Sequence, residues 1–379
     1  MYLTKNPKGN SVSIDALRPE IWQKALFKDV MDNLYFTKNG LMGKEDNNII
    51  QLKDELQKEQ GDTVTFGLTA KLTGSGVSGD NELEGNEETI QAYSESVSID
   101  QKRFGVRLTG VLDEQKNAYD MRMDAKEKLT MRLTEFIERQ FFLKLAGVTN
   151  PTLVDVNGVV YSADCAWSNT PDYIPDADEA AGFGNRYLCA DFANGTDSLA
   201  TTDLLTPALI SRAKIKAQLA SPKILPLRID GKDHYVMFIH PWQAFDLKNN
   251  ATFAQAMREA AERGKTNPIF TGALGVWDNV ILFEHEYVPF LDISVAGNSF
   301  RGAATGTDCT ADAFRALLCG RQAAGFAKAK NPNGWVEKTF DYKNKTGFAT
   351  GIIGGIQKIM FNSKEYGVIA VDTAATSLV

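Results

Sequence analysis

Only three histidines and four cysteines occur among 379 residues, and neither type clusters. The cysteines (Cys165, Cys189, Cys309 and Cys319) have no CxxC spacing, which removes zinc-ribbon and dithiol redox sites and leaves reduced, buried thiols. His285-Glu286 lacks the second histidine of a zincin motif, and His240-Pro241 follows an apolar run, the setting of a hydrogen-bonded structural histidine. No apolar stretch approaches the roughly 18 residues of a membrane span, and the first residues lack the apolar core of a secretory signal. A basic surplus is also missing. Net charge is −7 and the isoelectric point about 5.2, which argues against a protein built to grip nucleic acid through a cationic surface.

Motifs for bound phosphate and metal fail in detail. Gly74-x-Gly76-x-x-Gly79 matches a dinucleotide fingerprint, but an acidic, non-helical stretch follows where a helix N-terminus is required. Gly264-Lys265-Thr266 resembles the end of a P-loop, yet the earlier glycine position is Glu259. Asp80, Glu82, Glu84 and Gly85 imitate half of a calcium loop whose twelfth position is Gln91 instead of glutamate. No serine has a nucleophile-elbow setting. The expectation is no catalytic residue, no cofactor and no metal.

Two adjacent segments do not suit one compact globule. Gly61 to Gly110 reads as a long polar β-hairpin: Thr63–Leu68 alternates, a glycine-rich tip follows, and Val97, Ile99, Phe104, Val106 and Leu108 alternate on the return. Residues 72–101 hold Asp80, Glu82, Glu84, Glu87, Glu88, Glu95 and Asp100 with no Lys or Arg. A hairpin alone is marginal in water, and this one has few large apolar residues near its tip, so a partner outside the subunit is expected to complete it. Val111 to Ala146 then contains neither Gly nor Pro. Ala118, Met121, Ala125, Leu129, Leu133 and Phe136 mark one face of a helix about 50 Å long, with Asp113 as N-cap and Gly147 as stop. Asp124–Lys128 and Glu135–Arg139 are spaced to pair along it.

Elsewhere, helices are expected over Pro19–Phe36, Leu204–Leu219 and Pro241–Arg263, and buried strands at Tyr235–Ile239 and Val280–Phe283. This alternation suggests an α/β or α+β domain. Strands return at Val336–Phe340, Phe348–Ile353, Ile356–Phe361 and Val368–Val371, while 150–200 reads as irregular. The basic residues Arg321, Lys328, Lys330, Lys338, Lys343 and Lys345 read as a solvated face.

Several stretches together resemble the major capsid protein of tailed bacteriophages, with the Hong Kong phage coat fold, and more narrowly the coat family of virion-polymerase podophages. They are Gly61-Asp62-Thr63-Val64-Thr65-Phe66, Leu83-Glu84-Gly85-Asn86-Glu87-Glu88, Ile99-Asp100-Gln101, His240-Pro241-Trp242-Gln243-Ala244, Asn267-Pro268-Ile269-Phe270-Thr271-Gly272-Ala273-Leu274-Gly275 and Phe340-Asp341-Tyr342. The resemblance implies an α+β fold with an N-terminal arm (1–60), an extended loop (61–110), a peripheral-domain spine helix (111–150), an irregular insertion (151–202), an axial domain (203–334) and C-terminal strands (335–379) that complete the two domains. It implies a structural protein of the virion, assembled in the bacterial cytoplasm. Its partners would be its own copies in hexamers and pentamers, a portal, scaffold or decoration proteins, and packaged DNA through non-specific contact, with no membrane. Glu82, Glu84, Glu87, Glu88, Arg103 and Arg107 are the expected intersubunit contacts. The alternatives are an encapsulin-like compartment shell and an α/β enzyme or ligand-binding protein.

Overall fold

The computed structural model describes residues 26, 28–54, 61–69, 76–90, 92–116, 121–147, 186–191, 199–220, 223–229, 231–261, 273–291, 311–329, 336–342, 344–361 and 364–376. Most of the expected arm and insertion, the first half of the hairpin tip, Cys165, Cys309, Lys330 and Lys343 lie outside these residues.

Two sheets are joined by one helix. In the larger, eight-stranded sheet the main path runs Tyr187–Cys189, Val368–Ala374, Ala313–Cys319, Lys232–Ile239, Val280–Glu284 and Ala273–Trp277. The pairs 280–284 with 232–239 and 368–374 with 187–189 are parallel; the other pairs on this path are antiparallel. Both faces are covered, which explains why its central strands read as unbroken apolar runs. Tyr235, Met237, Ile239, Leu282 and Val371 pack on the helices Pro207–Leu219 and Pro241–Asn249. Val236, Phe238, Ile281 and Leu317 face the opposite way, into a core shared with the spine helix.

That spine helix, Met121–Ala146, buries the expected stripe Ala125, Leu129, Leu133 and Phe136, then Ile137, Phe141, Phe142 and Leu145 as it enters the core. Gly147 at φ 63° ends it. The continuous helix expected from Val111 is described as two, Val111–Lys116 and Met121–Ala146, with 117–120 outside the described residues. Asp113 falls inside the first helix, so it is not the N-cap. Lys128 pairs with Asp124 at 2.8 Å as its spacing predicts, whereas Glu135 meets Arg132 at 3.6 Å.

The six-stranded sheet is built on one long strand, Lys345–Lys358. The sequence pattern breaks this strand at Gly354-Gly355. The structure keeps it whole because a Cβ at Gly355 would stand 2.1 Å from the Ser98 carbonyl oxygen: glycine lets two backbones touch. Val336–Phe340 pairs with its first half, Asp100–Arg107 runs along its other edge, and Ala324–Lys328 pairs with its end. The strands Ala313–Cys319 and Ala324–Lys328 are absent from the expectations, since AFRALLC and AGFAK show neither alternation nor β-branched residues. Phe104 packs edge-on to Phe136, and Phe326 to Phe141, so the spine helix covers this sheet's inner face.

Two helices replace the one expected over Pro241–Arg263, namely Pro241–Asn249 and Ala251–Ala261. Asn250 ends the first, and its side-chain oxygen accepts from the Thr252 and Phe253 N–H groups to start the second. Among the described residues no helix is long and apolar enough to cross a membrane.

Where the spine helix ends, Arg315 is fully buried. Its Nε and Nη2 donate to the two oxygens of Asp372 at 2.8 and 2.7 Å, and its Nη1 donates to the Ala146 carbonyl at 3.2 Å. Arg315→Ala strands the Asp372 carboxylate, with an expected cost of about 3–5 kcal/mol. Denaturant titration of the subunit reads this as a lowered midpoint; the joint replacement Arg315→Met, Asp372→Leu is expected to cost much less.

Candidate assembly surfaces

The hairpin is the first candidate surface. Thr63–Thr69 pairs with Ala92–Ser98, so the return strand comes earlier than the sequence suggests. The chain then leaves the hairpin, and Asp100–Arg107 joins the six-stranded sheet. Period-2 alternation continues across this change of partner, which is why the two strands read as one.

The hairpin has a core at its base and none at its tip. Val64, Phe66 and Val97 pack with Ala327, Ile359 and Tyr366 of the subunit's own body. Phe66 lies against Gly325, where a Cβ would meet the ring at 2.8 Å. Gln357 donates to Glu95 at 2.6 Å, and Lys53 donates to the Thr65 carbonyl at 2.8 Å. The expectation that the ribbon finds its core only outside the subunit is therefore corrected at the base. At the tip, residues 81–90 are all exposed, including Leu83 and Ile90.

Glu82, Glu84, Glu87 and Glu88 occupy this tip together. Its turn is held by its own polar groups: Asn86 N–H donates to the Leu83 carbonyl, the Asn86 amide to the Glu82 carbonyl, and Gly85 N–H to the Glu87 carboxylate at 2.7 Å. Gly76, Gly79 and Gly85 take positive φ, which suits a tight loop and no dinucleotide site. Among the described residues no group of three or more His, Cys, Asp or Glu is placed to hold a metal.

Arg103 and Arg107 stand on the exposed face of strand Asp100–Arg107, four residues apart and so on the same side. The structure does not bring them to their own tip. It brings Arg107 instead to Lys338 and Phe340 across the long strand, with Arg107 4.8 Å and Lys338 5.1 Å from the centre of the Phe340 ring, and it sets Arg103 against Gly351. In the sequence Lys338 and Lys345 read as part of a general basic cluster, and Phe340 as the end of a strand. The cluster is divided in the structure, because Lys328 is half-buried and its burial lowers its pKa. The alternating VEKTF pattern beside Arg107 becomes meaningful only once the strands are paired.

His240 and His285 are structural. His240 caps the helix Pro241–Asn249, accepting from Trp242 N–H while Gln243 accepts from His240 N–H. His285 is stacked on Phe142 and lies 4.0 Å from Glu138, whose carboxylate accepts the Tyr35 N–H at 2.7 Å. Burial raises the Glu138 pKa and pushes His240 and His285 down to about 4. At neutral pH the His285–Glu138 contact is therefore no ion pair. Burial likewise pushes the thiols of Cys189 and Cys319 up to about 12, leaving them unreactive.

Among the described residues, which assemble no catalytic group, the exposed tip, the spine helix and the two larger sheets have the architecture of a phage coat subunit. The fold is similar to the capsid of Ralstonia phage GP4, with TM-score 0.77 and 30% identity over 91% of this chain and 92% of that one. The capsid of cyanophage Pam1 shares the fold at TM-score 0.67 and 24% identity, covering 89% and 91% of the two chains. The major capsid protein of Pseudomonas phage KPP25 is 30% identical over 385 residues, 97% of this chain and 99% of that protein. A family model described as phage capsid protein matches residues 10–377, and the chain belongs to that family. It is a structural component of a phage capsid and not an enzyme.

Two measurements follow from these contacts. Gly325→Val should unseat Phe66, and amide exchange should rise in 63–69 and 92–98 while the spine helix keeps its protection. Histidines held below their unfolded pKa bind fewer protons in the folded state, so their contribution to stability is present above about pH 6.5 and lost as pH falls toward 4. The melting temperature should fall across that window, and His285→Gln should flatten the fall.

Proposed function

We propose that this subunit tiles a closed icosahedral head around a double-stranded DNA genome, through binding and without chemistry. The observation that carries the reading is the exposed tip on an anchored base: ten consecutive exposed residues, 81–90, are held out on a ribbon whose root is fixed to the body. Such an element costs stability in a monomer and is useful only where a second copy lies beneath it. Head-to-tail repetition of one contact closes rings, here hexamers and pentamers, and the rings close the shell.

In this reading the hairpin part of the expected loop 61–110, up to Ser98, extends over a neighbour, and the spine helix with the six-stranded sheet, including Asp100–Arg107, forms the peripheral domain. Most of 203–334, with the last strand, forms the axial domain around the ring axes. Glu82, Glu84, Glu87, Glu88, Arg103 and Arg107 lie in intersubunit contacts. The subunit assembles in the host cytoplasm, meets a portal and scaffold or decoration proteins at shell openings and surfaces, and touches DNA without sequence preference. The shell expands from a compact precursor, with the hairpin and spine helix as the elements that bend or rotate.

Negative-stain microscopy of the expressed protein tests the reading. Shells, tubes or capsomer rings are the expected result; a uniform population of small monomers at high concentration would overturn it.

A further inference from the structure

We propose that His240 and His285 form an acid-released latch at the C-terminal ends of two parallel strands, holding the start of the helix Pro241–Asn249 and the helix Tyr35–Lys38 only while both imidazoles are neutral. The latch lies inside one subunit and does not depend on the shell reading.

Strand pairing brings the two histidines together. Lys232–Ile239 and Val280–Glu284 run parallel with Ile239 opposite Glu284, so each histidine is the first residue past its strand. The His285 N–H donates to the Ile239 carbonyl at 3.0 Å. Both rings use the same nitrogen in the same way. His240 Nδ1 accepts the Trp242 N–H at 3.3 Å, and His285 Nδ1 accepts the Tyr287 N–H at 3.1 Å. An imidazole nitrogen that accepts carries no proton, so both rings are neutral with the proton on Nε2. Protonation at Nδ1 turns each acceptor into a donor aimed at another donor, and neither contact survives it. The two rings hold different elements. His240 caps the first turn of Pro241–Asn249. His285 stacks on Phe142 of the spine helix at 4.6 Å, and Tyr35 meets it edge-on at 4.4 Å. Because the Tyr35 N–H also donates to Glu138 at 2.7 Å, the helix Tyr35–Lys38 is held by Glu138 and His285 together.

The surroundings do not stabilise an imidazolium in place. His240 is ringed by Trp242, Phe290 and Phe314. Asp246, further along its helix, accepts the Thr376 N–H at 2.9 Å, and Arg315, beside Phe314, is paired with Asp372. Near His285, Glu138 Oε2 lies 4.0 Å from Nε2. Burial raises the Glu138 pKa and pushes His285 down to about 4, so the carboxyl takes its own proton first and offers no counter-charge. That titration by itself favours the closed form in acid, so release is carried by the histidines. Glu284 is bonded to Lys248 at 3.1 Å, and Arg139 lies 4.8 Å from the centre of the Tyr287 ring, a charge of the wrong sign. Glu135, Glu286 and Lys38 act on Glu138, and Tyr35 and Tyr287 stay neutral because burial raises their pKa values. A charged ring therefore gains only by moving into water. Opened, each ring has its ordinary pKa of 6.5; closed, about 4, so acid favours opening as pH falls through that interval.

Hydrogen exchange of the full chain between neutral pH and about pH 4, corrected for the intrinsic rate at each pH, provides the test. Local opening of 241–249 and of 35–41 is expected to rise about a hundredfold across that range, while 129–145 and 313–319 change little. Asparagine offers a side-chain oxygen that caps a helix or accepts an N–H two residues on, and it does not titrate. His240→Asn should therefore abolish the acid response of 241–249 alone, and His285→Asn that of 35–41 alone. With only three histidines in the chain, nitrogen NMR of isotope-labelled histidine reads the ring state directly. At least two rings should be Nε2–H tautomers at neutral pH and take up no proton above about pH 5. An acid response that persists in both variants, protection lost equally everywhere, or rings protonated at Nδ1 would overturn the proposal. If a variant fails to fold at neutral pH, the tautomers and the exchange of the unaltered protein still decide it.

Discussion

The buried Arg315, paired with Asp372 beside it and donating to the Ala146 carbonyl, ties the larger sheet to the end of the spine helix. Arg315 belongs to a central strand of the larger sheet, Asp372 to the strand beside it, and Nη1 reaches the Ala146 carbonyl at the last turn of the spine helix. The guanidinium also lies 5.9 Å from the centre of the Tyr187 ring, on the edge strand. Taking both charges out of water is costly, so the arrangement persists only where every donor finds its acceptor. A helix rotated by one residue would leave a charged group unsatisfied in the core. Apolar packing around Phe142 and Phe238 tolerates small slips; this contact does not.

With that joint set, the spine helix packs on the second sheet through Phe104–Phe136 and Phe141–Phe326, and the sheet's other face takes the hairpin base. Small residues on that face decide what lies against it. Glycine and alanine at 325, 327 and 355 admit the hairpin base, and glycines at 347 and 351 let aromatic and cationic side chains lie flat. A capsid protein meets its neighbours through shape and charge distribution, so backbone proximity matters here as a catalytic constellation would in an enzyme.

Much of the fold was legible from pattern. The stripe Ala125–Leu129–Leu133–Phe136 is a 3.6-residue period on a gap-free segment, and it emerged as the spine helix. The strands at 235–239 and 280–283 were visible as short apolar runs, since burial on both faces removes polar positions. Ala313–Cys319 was missed because an arginine interrupts it; nothing local shows that Arg315 has a buried carboxylate waiting 57 residues later. Asn250 was passed over inside a helical run because side-chain capping leaves no periodic trace. The acids of the tip were legible as a charge block, and the meaning of Arg107 was not, because Lys338 and Phe340 come beside it only through pairing with the same long strand.

The amino-acid sequence by itself determined the local elements, the acidity and exposure of the loop, and the lack of any metal or nucleophile motif, because periodicity, turn chemistry and charge are properties of neighbouring residues. Its resemblance to phage coat proteins came from short stretches spread along nearly the whole chain. Only the tertiary structure decided where the hairpin ends and the sheet begins, which end of the glycine-rich face the hairpin base covers, and which cations stand over Phe340. Those outcomes depend on contacts more than two hundred residues apart in the chain, such as Ser98 against Gly355 and Arg107 against Gly347, and contacts of that range leave no imprint on local pattern.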